Sequence, residues 1–167
     1  MKIGVVVGSD SDLPVIDRAF AVWDEYEVPY EVDIISAHRS PELATEYATT
    51  AHKRGIGVIV AAAGLAAHLP GVIAAQTVLP VIGLPIAGGP LNGQDALYSV
   101  VQMPPGIPVA TVGIDNATNA AYLALHIIAL VDERVRRRLE EYRLDLPEKI
   151  RAKNKQLRER GLGGFIE

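Results

Sequence analysis

A chain of 167 residues has the size of one domain and can bury a full core. Hydrophobic residues make up 49% and charged residues 22%, a globular composition that excludes a disordered chain or a fibre. A net charge of -4 argues against the unbalanced cationic surface that nucleic-acid binding needs, and the lack of cysteine excludes disulfides, thiolate nucleophiles and thiolate metal ligands.

The N-terminus reads directly as a strand and carries no signal-peptide cleavage region, which points to a cytoplasmic protein. Ile3–Gly8 is a short apolar run ending in Gly8-Ser9-Asp10-Ser11-Asp12, after which Leu13, Ile16, Phe20 and Trp23 recur at helical spacing. Tyr30–Ile35 gives a second strand. Beyond Ser36-Ala37-His38-Arg39, Ser40 and Pro41 supply an N-cap and a first-turn proline for a helix reaching about Arg54.

Gly57–Ala62 and Pro80–Leu84 are apolar throughout, as expected of strands covered on both faces, and the Ala-rich stretch from about Ala67 to Thr77 joins them. A helix near Gln94–Gln102 precedes a fifth strand over Ile107–Val112, and a further helix holds His126. Strands alternating with helices predict right-handed crossovers, hence a three-layer α/β fold of flavodoxin-like or Rossmann-like type.

Between Arg54 and Asp115 the only formally charged side chain is Asp95. A membrane span would need roughly 20 uninterrupted apolar residues, and Pro70, Pro80, Pro85, Pro90, Pro104 and Pro105 cut the region too short for one. Core strands and subunit contacts account for it better, so a homo-oligomer is expected. Val131, Val135, Leu139, Tyr142 and Leu146 then form a narrow apolar stripe, predicting a long C-terminal amphipathic helix that Pro147 kinks or restarts. Arg136-Arg137-Arg138 is interleaved with Glu133, Glu140 and Glu141 and reads as a solvated face. The expected organisation is an α/β catalytic domain over 1–130, a helical extension over 131–160 packing on a neighbouring subunit, and a flexible tail over 161–167.

In open parallel sheets, ligands bind at the carboxyl ends of strands, which singles out three loops. In Gly8–Asp12, hydroxyls and N–H groups at a helix N-terminus can cradle a phosphate while a carboxylate accepts from a ribose diol; the same residues also serve as caps and turn formers. In Ser36–Pro41, Arg39 can hold a phosphate bidentately and His38, with a reference pKa of about 6.5, can exchange protons near neutrality. In Ala63–Gly71, small residues let a planar ligand approach the backbone, and His68 is either a ligand contact or a capping residue of the third helix. His52 and His126 fall inside predicted helices as surface or packing residues. No Walker loop, GxGxxG turn, GxSxG elbow or HExxH helix is present, and no metal or bound cofactor is indicated. Asn116-Ala117-Thr118 matches a glycosylation sequon, which carries no meaning without a secretory signal.

Four segments together, Gly8–Asp12, Ser36–Pro41, Ala66–Gly71 and Asp95–Pro104, resemble the N5-carboxyaminoimidazole ribonucleotide mutases of purine biosynthesis, the phosphoribosylaminoimidazole carboxylase catalytic-subunit family. The resemblance covers about residues 3 to 130. It implies a flavodoxin-like subunit in a homo-octamer and a reaction without ATP, metal or biotin that moves a carboxylate from an exocyclic nitrogen to a ring carbon. Carried onto this chain, it places Ser9 and Asp12 on the ribonucleotide, with Asp12 on the ribose hydroxyls. Ser36 and Arg39 take the phosphate, and His38 is the acid/base. Ser11, Gly64, His68 and Leu69 complete the expected substrate-binding set. The Ala66–Pro70 segment resembles the mutase subtype; the other subtype carboxylates aminoimidazole ribonucleotide directly with carbon dioxide. Pro90–Gln94 and Asp115–Thr118 depart from the family pattern. A non-catalytic nucleotide-binding module is the remaining alternative, and it would have no use for His38.

Overall fold

Five strands form, rich in β-branched and small apolar residues except for β2, where Glu31 and Asp33 alternate with Tyr30, Val32 and Ile34: β1 (Lys2–Val7), β2 (Tyr30–Ile34), β3 (Ile56–Gly64), β4 (Val81–Ile86) and β5 (Ala110–Thr111). All pair in parallel, in the order β2-β1-β3-β4-β5, which is the flavodoxin-like order. The helices between and after them are α1 (Leu13–Glu25), α2 (Pro41–Thr50), α3 (Leu69–Ala74), α4 (Gln94–Val101), α5 (Ala117–Ile128) and α6 (Glu133–Arg160). The computed structural model describes residues Met1–Leu162, which separate into two compact units, Met1–Ile128 and a second that begins at Ala129.

Within the first unit, β3 is the central strand and is buried from Ile56 to Ala63, because both of its faces are covered by helices. Side-chain alternation sends Ile59, Ala61 and Ala63 into a cluster with Ala44, Tyr47 and Ala48 of α2, Leu69 and Ile73 of α3, and Ala96 and Val100 of α4. On the other face α1 packs against α5, which presents Ala117, Ala120, Ala121 and Ala124 as buried positions and so approaches closely. Trp23 of α1 is fully buried there and donates its indole N–H to the Ala121 carbonyl at 3.3 Å.

Several boundaries differ from the sequence reading for identifiable reasons. The fifth strand shrinks from Ile107–Val112 to Ala110–Thr111: Pro108 has no N–H to donate, and Ile107 is drawn into a turn by its bond to the Pro104 carbonyl. The third helix is confined to Leu69–Ala74, starting beside Pro70 and giving way to turns before Thr77. The second helix tightens to a 3-10 turn over Ala51–Arg54 and stops at Gly55, whose φ of +82° suits only glycine well.

In the second unit, Asp132 caps α6 by accepting from the Arg134 and Val135 N–H groups. The helix runs on through Pro147 instead of restarting there. Val135 and Leu139 of the expected stripe are buried, whereas Val131 lies ahead of the helix and is exposed, as is Leu146. Of the expected tail, Gly161 and Leu162 follow the helix as a turn, and 163–167 lie outside the described residues. No helix among the described residues is long and apolar enough to cross a membrane.

Candidate active site

The strand order reverses direction between β1 and β3, and the crevice above that point is where an open α/β sheet binds ligands. A cavity of about 900 Å³ occupies it. All nine residues singled out above, Ser9, Ser11, Asp12, Ser36, His38, Arg39, Gly64, His68 and Leu69, line its wall.

The loop after β1 enters a 3-10 turn over Asp10–Asp12 that leads into α1. Ser9 caps this turn by accepting from the Ser11 N–H at 3.3 Å, while the Ser9 N–H donates to Asp12 Oδ2 at 3.1 Å. The caps and the candidate contacts are thus the same residues. Asp12 is buried, and burial raises its carboxyl above the usual aspartate range against the opposing bond from the Ser9 N–H. Asp10, at the surface, is held low instead, chiefly by its bond from the Ser9 hydroxyl.

The loop after β2 is closed by serine hydroxyls. Ser40 occupies the N-cap position of α2, but its hydroxyl makes no capping bond to the helix. It bonds back to Ser36 instead, donating to the Ser36 carbonyl at 3.0 Å and accepting from the Ser36 N–H at 3.2 Å. The expected cap is therefore corrected: Ser40 pins the turn that carries His38 and Arg39. Ser36 Oγ in turn accepts from both the backbone N–H and Nε of Arg39, at 3.3 and 3.2 Å. Arg39 Nη2 reaches the Gly8 carbonyl at 3.3 Å, tying the second loop to the first. These bonds use two of the guanidinium's five N–H groups.

The loop after β3 places His68 at the N-cap position of α3, again with no side-chain cap. Its Nδ1 lies 2.6 Å from Nε2 of His38, with the rings edge-to-face at a centroid distance of 4.8 Å. A hydrogen bond between two imidazole nitrogens requires an N–H on one and a bare lone pair on the other, so a single proton lies between them. The His68 side chain therefore makes no cap to α3 and lines the cavity beside His38. His52 and His126 are exposed, away from this pair.

The end of β4 at Ile86 and a fourth loop after it, Ala87–Gly89, complete the wall and were not among the sequence candidates. Its signal was present in Gly88-Gly89-Pro90 directly after an apolar strand. The cavity thus joins a guanidinium, an imidazole pair, a buried carboxylate and a wall of Ala63, Gly64 and Ala66, which suits an anionic ligand that must exchange protons in a tight space. Among the described residues, no three His, Asp or Glu side chains group as metal ligands.

The family model described as AIR carboxylase matches residues 2–149. The chain belongs to the AIR carboxylase family. It is 57% identical over 98% of its length to the N5-carboxyaminoimidazole ribonucleotide mutase of Pyrococcus horikoshii, covering 93% of that protein. It is 50% identical to the Synechocystis protein of the same name, with 99% of this chain and 94% of that one aligned. The phosphoribosylaminoimidazole carboxylase of Saccharomyces cerevisiae is 48% identical over 99% of this chain, which spans 29% of the yeast protein. The crystal structure of Treponema denticola PurE superposes with a TM-score of 0.82 at 24% identity, covering 93% of this chain and 97% of that one, and shares the fold. The family model thus spans the first unit from Lys2 onward and α6 as far as Lys149.

Proposed function

We propose that this chain is a mutase of de novo purine biosynthesis that converts N5-carboxyaminoimidazole ribonucleotide to 4-carboxy-5-aminoimidazole ribonucleotide. The observation that carries the reading is the His38–His68 pair beside Arg39 in one small-residue cavity. The names and full-length similarity of the archaeal and cyanobacterial relatives support it.

In this reading Arg39 and the Ser36 hydroxyl hold the substrate phosphate by charge-assisted bonds, Ser9 and Ser11 contact the ribonucleotide, and Asp12 accepts from the ribose hydroxyls. His38 donates a proton to the exocyclic nitrogen, the carbon–nitrogen bond breaks with its electron pair going to nitrogen, and carbon dioxide is released. The wall of Ala63, Gly64 and Ala66, with Leu69 beneath, retains the carbon dioxide by excluding water. The ring carbon then attacks it, and the ring proton displaced from that carbon returns to His38. One proton is given and one regained, so the net reaction is an isomerisation and His38 ends as it began. His68 holds His38 in orientation and contacts the carboxylate. No further cofactor enters this sequence.

The yeast relative's name favours a second reading, direct carboxylation of aminoimidazole ribonucleotide with carbon dioxide. Purified protein given N5-carboxyaminoimidazole ribonucleotide, or aminoimidazole ribonucleotide with bicarbonate, separates the two. Efficient turnover of the first substrate is expected. Turnover of the second alone would sink the mutase assignment, and turnover of neither would leave a binding module. We read the working form as a cytoplasmic homo-octamer, with support from the charge-free middle of the chain and its exposed Val78, Tyr98 and Val101.

A further inference from the structure

Two segments outside the four loops of the site, Pro90–Gln94 and Asp115–Thr118, meet at one residue of the cavity wall, Ala87. Asp115 lies between β5 and α5, in a left-handed conformation with φ of +55°. Its N–H donates to the Pro85 carbonyl at 2.9 Å, and its carboxylate Oδ1 accepts from the Ala87 N–H at 2.8 Å. From the other side, a Cβ added at Gly93 would lie 2.8 Å from Ile114 Cγ2 and 3.0 Å from the Ala87 Cα, so the returning loop is packed against the same two segments.

The pairing of β4 with β5 explains why a side chain is needed here. The ladder holds Ile82 to Ala110 and Gly83 to Thr111, with one more bond from the Val112 N–H to the Gly83 carbonyl. Beyond that the regular pairing ends, and the bond from the Asp115 N–H to the Pro85 carbonyl is a further backbone link between the two segments. The carboxylate of Asp115 then supplies the acceptor that a longer strand would have offered, and it does so where β4 runs out into the cavity wall at Ile86–Gly89. Ala87 is itself exposed, and Gly88 and Gly89 after it carry no side chain beyond a hydrogen, the latter at φ +60°. Such a segment would otherwise be free to sample many backbone states.

We propose that Asp115 is a positioning residue for substrate binding: by accepting the Ala87 N–H it fixes the Ala87–Gly89 wall against which the substrate of the proposed mutase reaction lies. The inference rests on that functional reading. It acts on a wall that meets the substrate before and during the reaction alike, so its loss should appear in KM and not in kcat.

The test compares Asp115→Ala, Asp115→Gly and Asp115→Asn with the unaltered protein, measuring steady-state turnover of N5-carboxyaminoimidazole ribonucleotide and thermal melting. Asp115→Ala and Asp115→Gly are expected to raise KM about tenfold with kcat within about twofold. Glycine accepts a left-handed backbone readily, so Asp115→Gly should melt close to the unaltered protein and still show the KM defect. Asp115→Asn keeps an oxygen for the Ala87 N–H and is expected to bring KM back to within about threefold. Unchanged KM in both the Ala and Gly variants would overturn the proposal, as would an Asn variant as impaired as Ala. A fall in kcat at constant KM that tracks the melting temperature would also overturn it, because that marks a merely structural role. Absence of turnover by the unaltered protein would instead refute the mutase reading itself, so the two failures are distinguishable.

Discussion

Replacing His38 with Asn removes the group that moves a proton while keeping a polar side chain on the same pinned turn. Turnover of N5-carboxyaminoimidazole ribonucleotide should be abolished with ligand binding within about tenfold, or roughly 1.4 kcal/mol. Arg39→Ala should do the reverse and weaken binding first, because the phosphate loses a charge-assisted pair worth on the order of 1.5–3 kcal/mol. Titration calorimetry alongside single-turnover assays reads both. An active Asn variant would take His38 out of the chemistry. At this scale the sequence was informative because imidazole and guanidinium at a strand end have few other uses. The His38–His68 bond was not legible, since it depends on how two loops separated by 30 residues are brought together. Nor was the turn made by Ser40, because a serine before a helical proline has the same signature whether it caps the helix or bonds backwards.

Among the elements, the sheet's amino-terminal edge is tied by charge. Glu31 on β2 accepts from Lys2 of β1 at 2.5 Å and from Arg54, after α2, at 2.9 Å. Burial raises the Glu31 carboxyl, yet the bonds from Lys2 and Arg54 outweigh it and hold the group below the usual glutamate range. With the folded pKa below the unfolded one, the network stabilises the fold above the ordinary glutamate pKa, and this is lost as pH falls through the folded value. Glu31→Gln should therefore lower the melting temperature at neutral pH and lessen its further decline on acidification; an offset equal at every pH would count against this. The strands and helices that frame the site were legible in the alternation of apolar runs and turn residues. What failed, in β5 and α3, failed at prolines and turns, where the backbone's hydrogen-bond partners and not hydrophobicity decide the boundary.

For the whole molecule, the long charge-free stretch is only partly spent on the core. β3 and β4 are buried, but Val78 is fully exposed and Tyr98 and Val101 of α4 are 61% and 49% exposed. In the second unit, Leu144 and Ile150 of α6 are exposed as well. Covering such surface is the usual reason for assembly. Sedimentation velocity at micromolar concentration should show a species larger than a dimer, and a monomer would contradict the assembly reading. Trp23, the sole tryptophan, sits sealed between α1 and α5, among Phe20, Tyr30 and the Ala121 carbonyl, and does not line the cavity. Intrinsic fluorescence will thus report the opening of that helix pair and stay silent when ligand enters, giving a readout of unfolding that saturating substrate leaves spectrally clean.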